Sequence, residues 1–463
     1  MVRSSKVKGE KPNDGDYLEG KDCISSLPDA VLCHILSLMP TRNVVRTGIL
    51  STRWKYLWTS VPIIDLRYSL KSGEEDGPGN FMDFVDRVLL NTLPNLNKFL
   101  LNCGLRIDPY RLNSWVSTAI KRHVQKLHLS SRTESIVPLP CQLFTSIDLV
   151  VLKLSYQFHW SPLTVFLPRL KVLHLCSLAF LDDGSLRNIL SGCPALEELE
   201  IIMAKRDQNQ INTLYICSST LKKLIIFNHF KERSVQCSVV IKAPNLESLK
   251  LSDSVSRDFE VDELLALVKA NFFVRCPHDF FVWHDNHESS DCYYCNAVAR
   301  MLSKASNVQH LRLDGLTVEV VIRASAYNEL SFHSLTHLDI DHYDTHWSGV
   351  PDLLGCFPSL TVLVLKKANC CTCQWSTVPE NLPVCLSLSL EIMELRGFHG
   401  CSKEMKLVRY LLENAMVLKK LTLKGSWSRK KKIKTDLQKY KRGSSTCQIE
   451  FLYKKHEGSV EWL

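Results

Sequence analysis

The sequence predicts an α/β solenoid preceded by a small all-helical module, and three observations carry that prediction. A short apolar phrase, L-x-x-L-x-L, recurs along most of the chain. Proline-led turns stand directly in front of several copies, as in Leu167-Pro168-Arg169-Leu170 and Cys193-Pro194-Ala195-Leu196. Residues 22–66 show helical rather than strand-like spacing.

From Met1 to Lys21 the chain is rich in Lys, Gly, Asp and Glu and lacks the apolar core of a signal peptide, which predicts a disordered leader over 1–21. Ser26 then stands three residues before Asp29, with Pro28 just inside, the pattern of a capped helix start. Val31, Leu32, Ile35, Leu36 and Leu38 follow at helical spacing. Pro40-Thr41 ends that helix and caps a second, which carries Val44, Val45 and Ile49; residues 51–58 read as a third. Three short helices make a minimal core that a neighbouring domain or a partner usually completes.

The phrases begin at residues 96, 124, 149, 170, 196, 221 and 246, then at 308, 335, 360, 390 and 418. Nearly every interval falls in or beside the window of about 20–29 residues that marks leucine-rich repeats, so residues 90–375 read as such an array. Side chains alternate along a strand, so the two leucines of L-x-L point the same way. One repeat cannot bury that face alone, and stacked neighbours share it as one core. Segments such as 182–190, with an acidic start and apolar residues three to four apart, predict helices on the convex side of a horseshoe whose parallel sheet is concave. The 62-residue interval from 246 to 308 predicts a degenerate strand at 268–274 and an inserted loop at about 276–297. The spacing is irregular, without the Asn ladder of the most regular repeats. Residues 376–452 continue the array, and 453–463 form a tail.

With 463 residues, 45% apolar and 23% charged, the composition is that of a soluble protein of two or three domains. No apolar run reaches the roughly 18 residues of a membrane span, so no membrane contact is predicted and the expected location is cytoplasm, nucleus or both. The 18 cysteines are scattered through apolar patterns and are predicted to act as small buried side chains rather than disulfide partners. Much of the formal net charge of +9 sits in residues 429–434, with Lys439, Lys441 and Arg442 close behind. That tract reads as a solvated loop, a nuclear-import signal, or a contact for nucleic acid or anionic lipid. No aromatic ladder accompanies it, which argues against single-strand nucleic-acid binding. In the insert, Cys276, His278, Cys292 and Cys295 are of the types that bind zinc. They include one C-x-x-C with no second pair at a standard distance, so they are candidates only and no metal is assigned. Cys370-Cys371-Thr372-Cys373 is a weaker pattern still. Walker, G-x-S-x-G and H-E-x-x-H patterns are absent, and neither catalytic residues nor a cofactor is expected.

The stretch Leu27-Pro28-Asp29-Ala30-Val31-Leu32-Cys33-His34-Ile35-Leu36-Ser37, followed by Leu50-Ser51-Thr52-Arg53-Trp54-Lys55-Tyr56-Leu57-Trp58, closely resembles the F-box of plant F-box/FBD/leucine-rich-repeat proteins. Val378-Pro379, Cys385-Leu386, residues 407–415, Leu418-Lys419-Lys420 and residues 444–449 look like the FBD region of that family. The resemblance implies that residues 22–66 bind the Skp-family adaptor of a cullin–RING ubiquitin ligase. The positions matching the family's adaptor contacts are Leu27, Pro28, Ile35, Leu36, Met39, Val45, Leu50, Trp54, Leu57 and Trp58. Arg42-Asn43 departs from the family pattern of a basic residue followed by an acid, a change suited to tuning adaptor affinity.

The middle residue of each L-x-L faces outward on the concave sheet, which makes His174, Glu200, Ile225, Lys250, Arg312 and Asp339 candidates for contact with a target protein. Ile202 and Phe227 share that face by alternation, as do Asp314 and Asp341. The implied function is a non-catalytic receptor that presents an unknown target for ubiquitination. A repeat scaffold acting outside any ligase, and a nucleic-acid-associated protein using residues 429–442, stand as alternatives.

Overall fold

The computed structural model describes residues 24, 26–68, 78–92, 95–103, 108–131, 137–155, 158–159, 164–176, 183–203, 212–228, 237–254, 256–274, 293–315, 317–318, 321, 330–341, 350–366, 382–425 and 430–453. The expected leader, residues 276–292 of the insert, Cys370–Cys373, Arg429 and nearly all of the tail lie outside them. The helical spacing near the N-terminus yields α1 (Asp29–Leu36), α2 (Thr41–Arg46) and α3 (Trp54–Leu57) around a core of Leu32, Leu36, Val44, Trp54, Leu57 and Val61.

Two details of this module differ from the sequence reading. The N-cap of α1 is Pro28 rather than Ser26, and no side chain caps it. Arg53 holds that end instead, donating from Nε to Asp29 Oδ1 at 3.0 Å and from Nη2 to the Leu27 carbonyl at 2.5 Å. Pro40, not Thr41, is the N-cap of α2. Thr41 lies one residue inside, where its hydroxyl is turned to the next element.

That element is β1 (Ile63–Tyr68), which alternates Ile64 and Leu66 inward and opens the solenoid inside what reads as the helical module. Among the described residues fifteen strands form one sheet in which every pairing is parallel, running from β1 to Gln448–Tyr453. Each of the twelve phrases supplies one strand. The others are β1, the degenerate Lys269–Val274 and the last, Gln448–Tyr453. Leucines such as Leu152, Leu173, Leu224, Leu311 and Leu363 are buried in a single continuous core that extends from Ile64 to Cys447. Trp58 packs against both this core and that of the module.

Helices cover one face of the sheet, including Pro78–Asn91, Pro109–Lys121, the predicted Asp183–Gly192 and Ser402–Asn414. In the middle of the array the covering layer is not helical. A three-stranded parallel sheet, Thr213–Cys217, Cys237–Lys242 and Ser256–Val261, takes its place. Leu214/Ile216, Val239/Ile241 and Phe259/Val261 alternate with period two and are buried, so strands rather than helices turn the apolar side inward. The insert is shorter than its expected span to 297, because the helix Tyr293–Ser303 begins inside that span. The basic tract is not a loop: Lys430–Lys439 is a helix whose Ile433 and Leu437 are buried in the common core.

Buried carboxylates close several strand ends. Asp253 Oδ1 accepts the Ser256 N–H at 2.7 Å, and Asp314 Oδ1 accepts that of Thr317 at 2.8 Å. In the C-terminal region the buried Glu404 accepts three successive backbone N–H groups on Oε2: His399 at 3.1 Å, Gly400 at 2.6 Å and Cys401 at 2.9 Å. Of the eleven cysteines whose side chains are described six are buried, and burial pushes the thiols of Cys103, Cys193 and Cys385 up to about 12, leaving them as unreactive packing groups.

Candidate functional site

The N-terminal helices bury one set of apolar side chains and leave another in water. Of nineteen large apolar side chains exposed among the described residues, seven lie in this short module: Ile24, Val31, Ile35, Leu38, Ile49, Leu50 and Tyr56. Val31, Ile35 and Leu38 fall at i, i+4 and i+7, one stripe along and just past α1. Leu38, Ile49 and Leu50 are 76%, 89% and 64% exposed, a concentration of apolar surface of the kind that marks interaction sites.

The ten positions named from the sequence divide across this surface. Pro28, Ile35 and Leu50 are exposed; Leu27, Met39, Val45 and Trp58 are half-buried; Leu36, Trp54 and Leu57 belong to the module core and support the face from beneath. Val31, Leu38, Ile49 and Tyr56 were not among the ten. For the first two the signal was present as the i, i+4, i+7 spacing from Val31. Ile49 stands in a 3₁₀ turn, Thr47–Ile49, where helical spacing no longer indicates direction.

The second surface is the uncovered face of the long sheet. Parallel register places the middle residues of the strands side by side in one row: His128, Lys153, His174, Glu200, Ile225, Lys250, Asn271, Arg312, Asp339 and Val364. His174, Glu200, Ile225, Lys250, Arg312 and Asp339 thus follow one another along this row, with Asn271 between Lys250 and Arg312, and are half-buried, as are Ile202 and Phe227 in the adjacent row. Asn271 and Phe273 join the face from the degenerate strand, whose loss of the leucine phrase hid them. Asp314 and Asp341 are buried rather than presented.

Chemistry varies along the row. Near one end His174 takes Glu198 on Nε2 at 3.0 Å and Glu200 on Nδ1 at 3.1 Å. Burial, then Lys153, outweighs both carboxylates and holds this imidazole below its ordinary value. At the centre the Lys250 ammonium lies 4.6 Å from the Phe227 ring centroid, and the Arg312 guanidinium 5.8 Å from that of Phe273. Beyond, Arg312 donates from Nε to Asp341 at 2.9 Å, and Lys366 lies 3.3 Å from the same carboxylate. Burial raises the Asp341 carboxyl, but these two cations outweigh it and keep it below the usual range. Asp339 is held above its ordinary value by burial.

Among the described residues no group of three or more His, Cys, Asp and Glu side chains is placed to hold a metal ion. Cys276, His278 and Cys292 lie outside them, as does the side chain of Cys295. No described helix is long and apolar enough to cross a membrane.

Comparison with known proteins agrees with this division. The F-box domain model matches residues 24–66, a model described as the LRR repeats of FBD-associated F-box protein At5g56370 matches 112–269, and the FBD model matches 378–423. F-box/FBD/LRR-repeat protein At5g22660 of Arabidopsis thaliana is 31% identical over 93% of this chain and 96% of its own length. F-box/LRR-repeat protein 13 of the same plant is 34% identical over 87% of this chain and 89% of its own. Among solved structures, a TLR13–ssRNA13 complex covers 73% of this chain and 51% of that chain at 14% identity and a TM-score of 0.32, too distant to bear on function. With domain models in the same order and relatives matched nearly end to end, the chain belongs to the plant F-box/FBD/LRR-repeat protein family.

Proposed function

We propose that this protein is the non-catalytic substrate receptor of an SCF-type ubiquitin ligase, acting in the cytoplasm, the nucleus or both. Residues 24–66 dock a Skp-family adaptor, and through it a cullin–RING ligase, while the open face of the sheet binds the target. The observation that carries this reading is the concentration of exposed apolar side chains on a module whose own core is complete. An apolar helical stripe beside exposed aromatic and aliphatic anchors suits a helix-in-groove interface. A receptor of this kind supplies proximity between its target and a separately recruited conjugating enzyme, and needs no catalytic group of its own.

Co-purification of the full chain with a recombinant plant Skp-family adaptor tests the reading. Capture by the parent and its loss in Ile35→Asp/Leu50→Asp is the expected result. No capture by the parent, or equal capture by the double variant, would remove it and leave a scaffold acting outside any ligase. Phe227→Asp should leave adaptor capture intact while abolishing target retention.

A further inference from the structure

Several charges on the open face are answered by a neighbour. Across the strands His174 meets Glu198 and Glu200, Lys223 meets Glu198 at 3.0 Å and Lys420 meets Glu450 at 2.7 Å, and along one strand Arg396 meets Glu394 at 2.8 Å. The first strands after β1 differ. Lys98 stands directly beside Lys126, and His128 directly beside Lys153, so four basic side chains occupy three adjacent strands. Among the described residues no carboxylate lies in ion-pair range of any of them. Their crowding registers on His128, which burial first, and then Lys98, Lys153, His174 and Lys126, drive down to about 4. That leaves His128 uncharged near neutral pH, but Lys98 and Lys126 are like charges held side by side, which costs stability. A fold that keeps them unanswered on its open face has a place for negative charge from outside.

Farther along the same face lie Ile202, Ile225 and Phe227, half-buried and contiguous by register. From strand Val151–Ser155 to strand Lys223–Asn228 is three strand spacings, about 14 Å at roughly 4.8 Å each. An extended chain advances about 3.3 Å per residue, so it spans that distance in about four residues.

Resting on the receptor reading above, we propose that the open face binds an extended segment of the target protein lying across the strands, with clustered Asp and Glu side chains over Lys98, Lys126, His128 and Lys153 and an apolar side chain about four or five residues away over Ile202, Ile225 and Phe227. Carboxylates fit better than phosphate because the cluster holds no arginine. Its ammonium groups are separate point charges spread over three strands, without the planar fork that clasps a phosphate. Nucleic acid fits less well, since among the described residues of this face the aromatic side chain Phe227 is some 14 Å distant rather than interleaved with the cations.

An array of synthetic peptides tests this with the full chain. Each peptide carries three acidic residues and a Leu-Phe pair separated by one to eight residues, in both chain directions, with phosphoserine-for-acid, neutral-for-acid and oligonucleotide arms alongside. Binding should peak at a separation of four or five residues in one direction. It should weaken at least tenfold in Lys126→Glu/Lys153→Glu and in the milder Lys126→Ala/Lys153→Ala, both checked for unchanged melting. Binding that ignores the acids or their spacing, an absence of binding, or a preference for phosphoserine or oligonucleotide over carboxylate would overturn the proposal. Adaptor capture is read on the same preparations. Lost peptide selectivity with capture intact sinks this inference alone, whereas lost capture with peptide selectivity intact sinks only the ligase reading.

Discussion

Thr41 and Asp65 join the F-box to the solenoid: the Thr41 hydroxyl accepts the Asp65 backbone N–H at 2.7 Å, linking the first turn of α2 to the second residue past the start of β1. Thr41 is 5% exposed, so water does not replace it readily. Together with Trp58, which packs against both cores, this bond ties the F-box to the first strand of the solenoid. Thr41→Val keeps the shape and strands the N–H, at a cost of about 1–3 kcal/mol. Thermal melting should show that loss, and exchange of the Asp65 amide should accelerate. If Thr41→Val melts with the parent and the amide exchanges at the parent rate, the two modules are not coupled through this contact.

Core and surface of the F-box should separate cleanly under mutation. Leu32 is fully buried, and Leu32→Ala should lower stability by about 2–5 kcal/mol. Ile35 lies only three residues later and is exposed, so Ile35→Asp should stay within about 0.5 kcal/mol of the parent while adaptor capture is lost. Denaturant melts paired with adaptor pull-downs distinguish the two effects. A large stability loss in Ile35→Asp would mean that its apparent exposure is not a docking surface but part of the fold.

Much of this was legible in the chain because side-chain period and burial are locked together. Every L-x-x-L-x-L gave its strand, and parallel register then placed His174, Glu200, Ile225, Lys250, Arg312 and Asp339 in one row. The covering layer was less legible, since Val239/Ile241 and their partners are short apolar runs whose pairing depends on strands distant in sequence. The basic tract misled because its composition is dominated by lysine, while two side chains, Ile433 and Leu437, decide its helix and its docking. Which apolar residues of the F-box are core and which are surface follows from how three helices pack. Leu36 and Ile35 are adjacent and equally apolar, and end on opposite sides.

The FBD region is closed by a backbone approach that admits no side chain. A Cβ on Gly425 would lie 1.9 Å from the Phe398 carbonyl oxygen, and the Phe398 N–H donates to the Lys424 carbonyl at 3.1 Å, so neither segment has room to withdraw. Gly425→Ala should cost at least the roughly 1–3 kcal/mol of an overpacked site. The loss should be local to the last strands, Lys420–Gly425 and Gln448–Tyr453, whose edge would then open. Hydrogen exchange of those strands in the variant checks this. Protection equal to the parent would show that the close approach relaxes at no cost.

Acid should weaken the fold through the same cluster that is assigned to an acidic ligand. His128 has an ordinary value of 6.5 and is pushed down to about 4 by burial and then by Lys98, Lys153, His174 and Lys126, the charged groups that surround it. Between those two values the unfolded chain takes up a proton that the folded chain refuses, so stability rises with pH across this window. The contribution is therefore complete above pH 6.5 and drains away as pH falls toward 4. His128→Gln removes this proton linkage but leaves His174, also held below its ordinary value, in place. Melting temperatures taken from about pH 7 to about pH 4.5 should fall more steeply for the parent than for His128→Gln. Superimposable profiles would mean that His128 is not desolvated and that the cluster exerts no such field. A bound acidic peptide should bring the two profiles together, because its carboxylates offset the lysines and restore the imidazole's affinity for a proton.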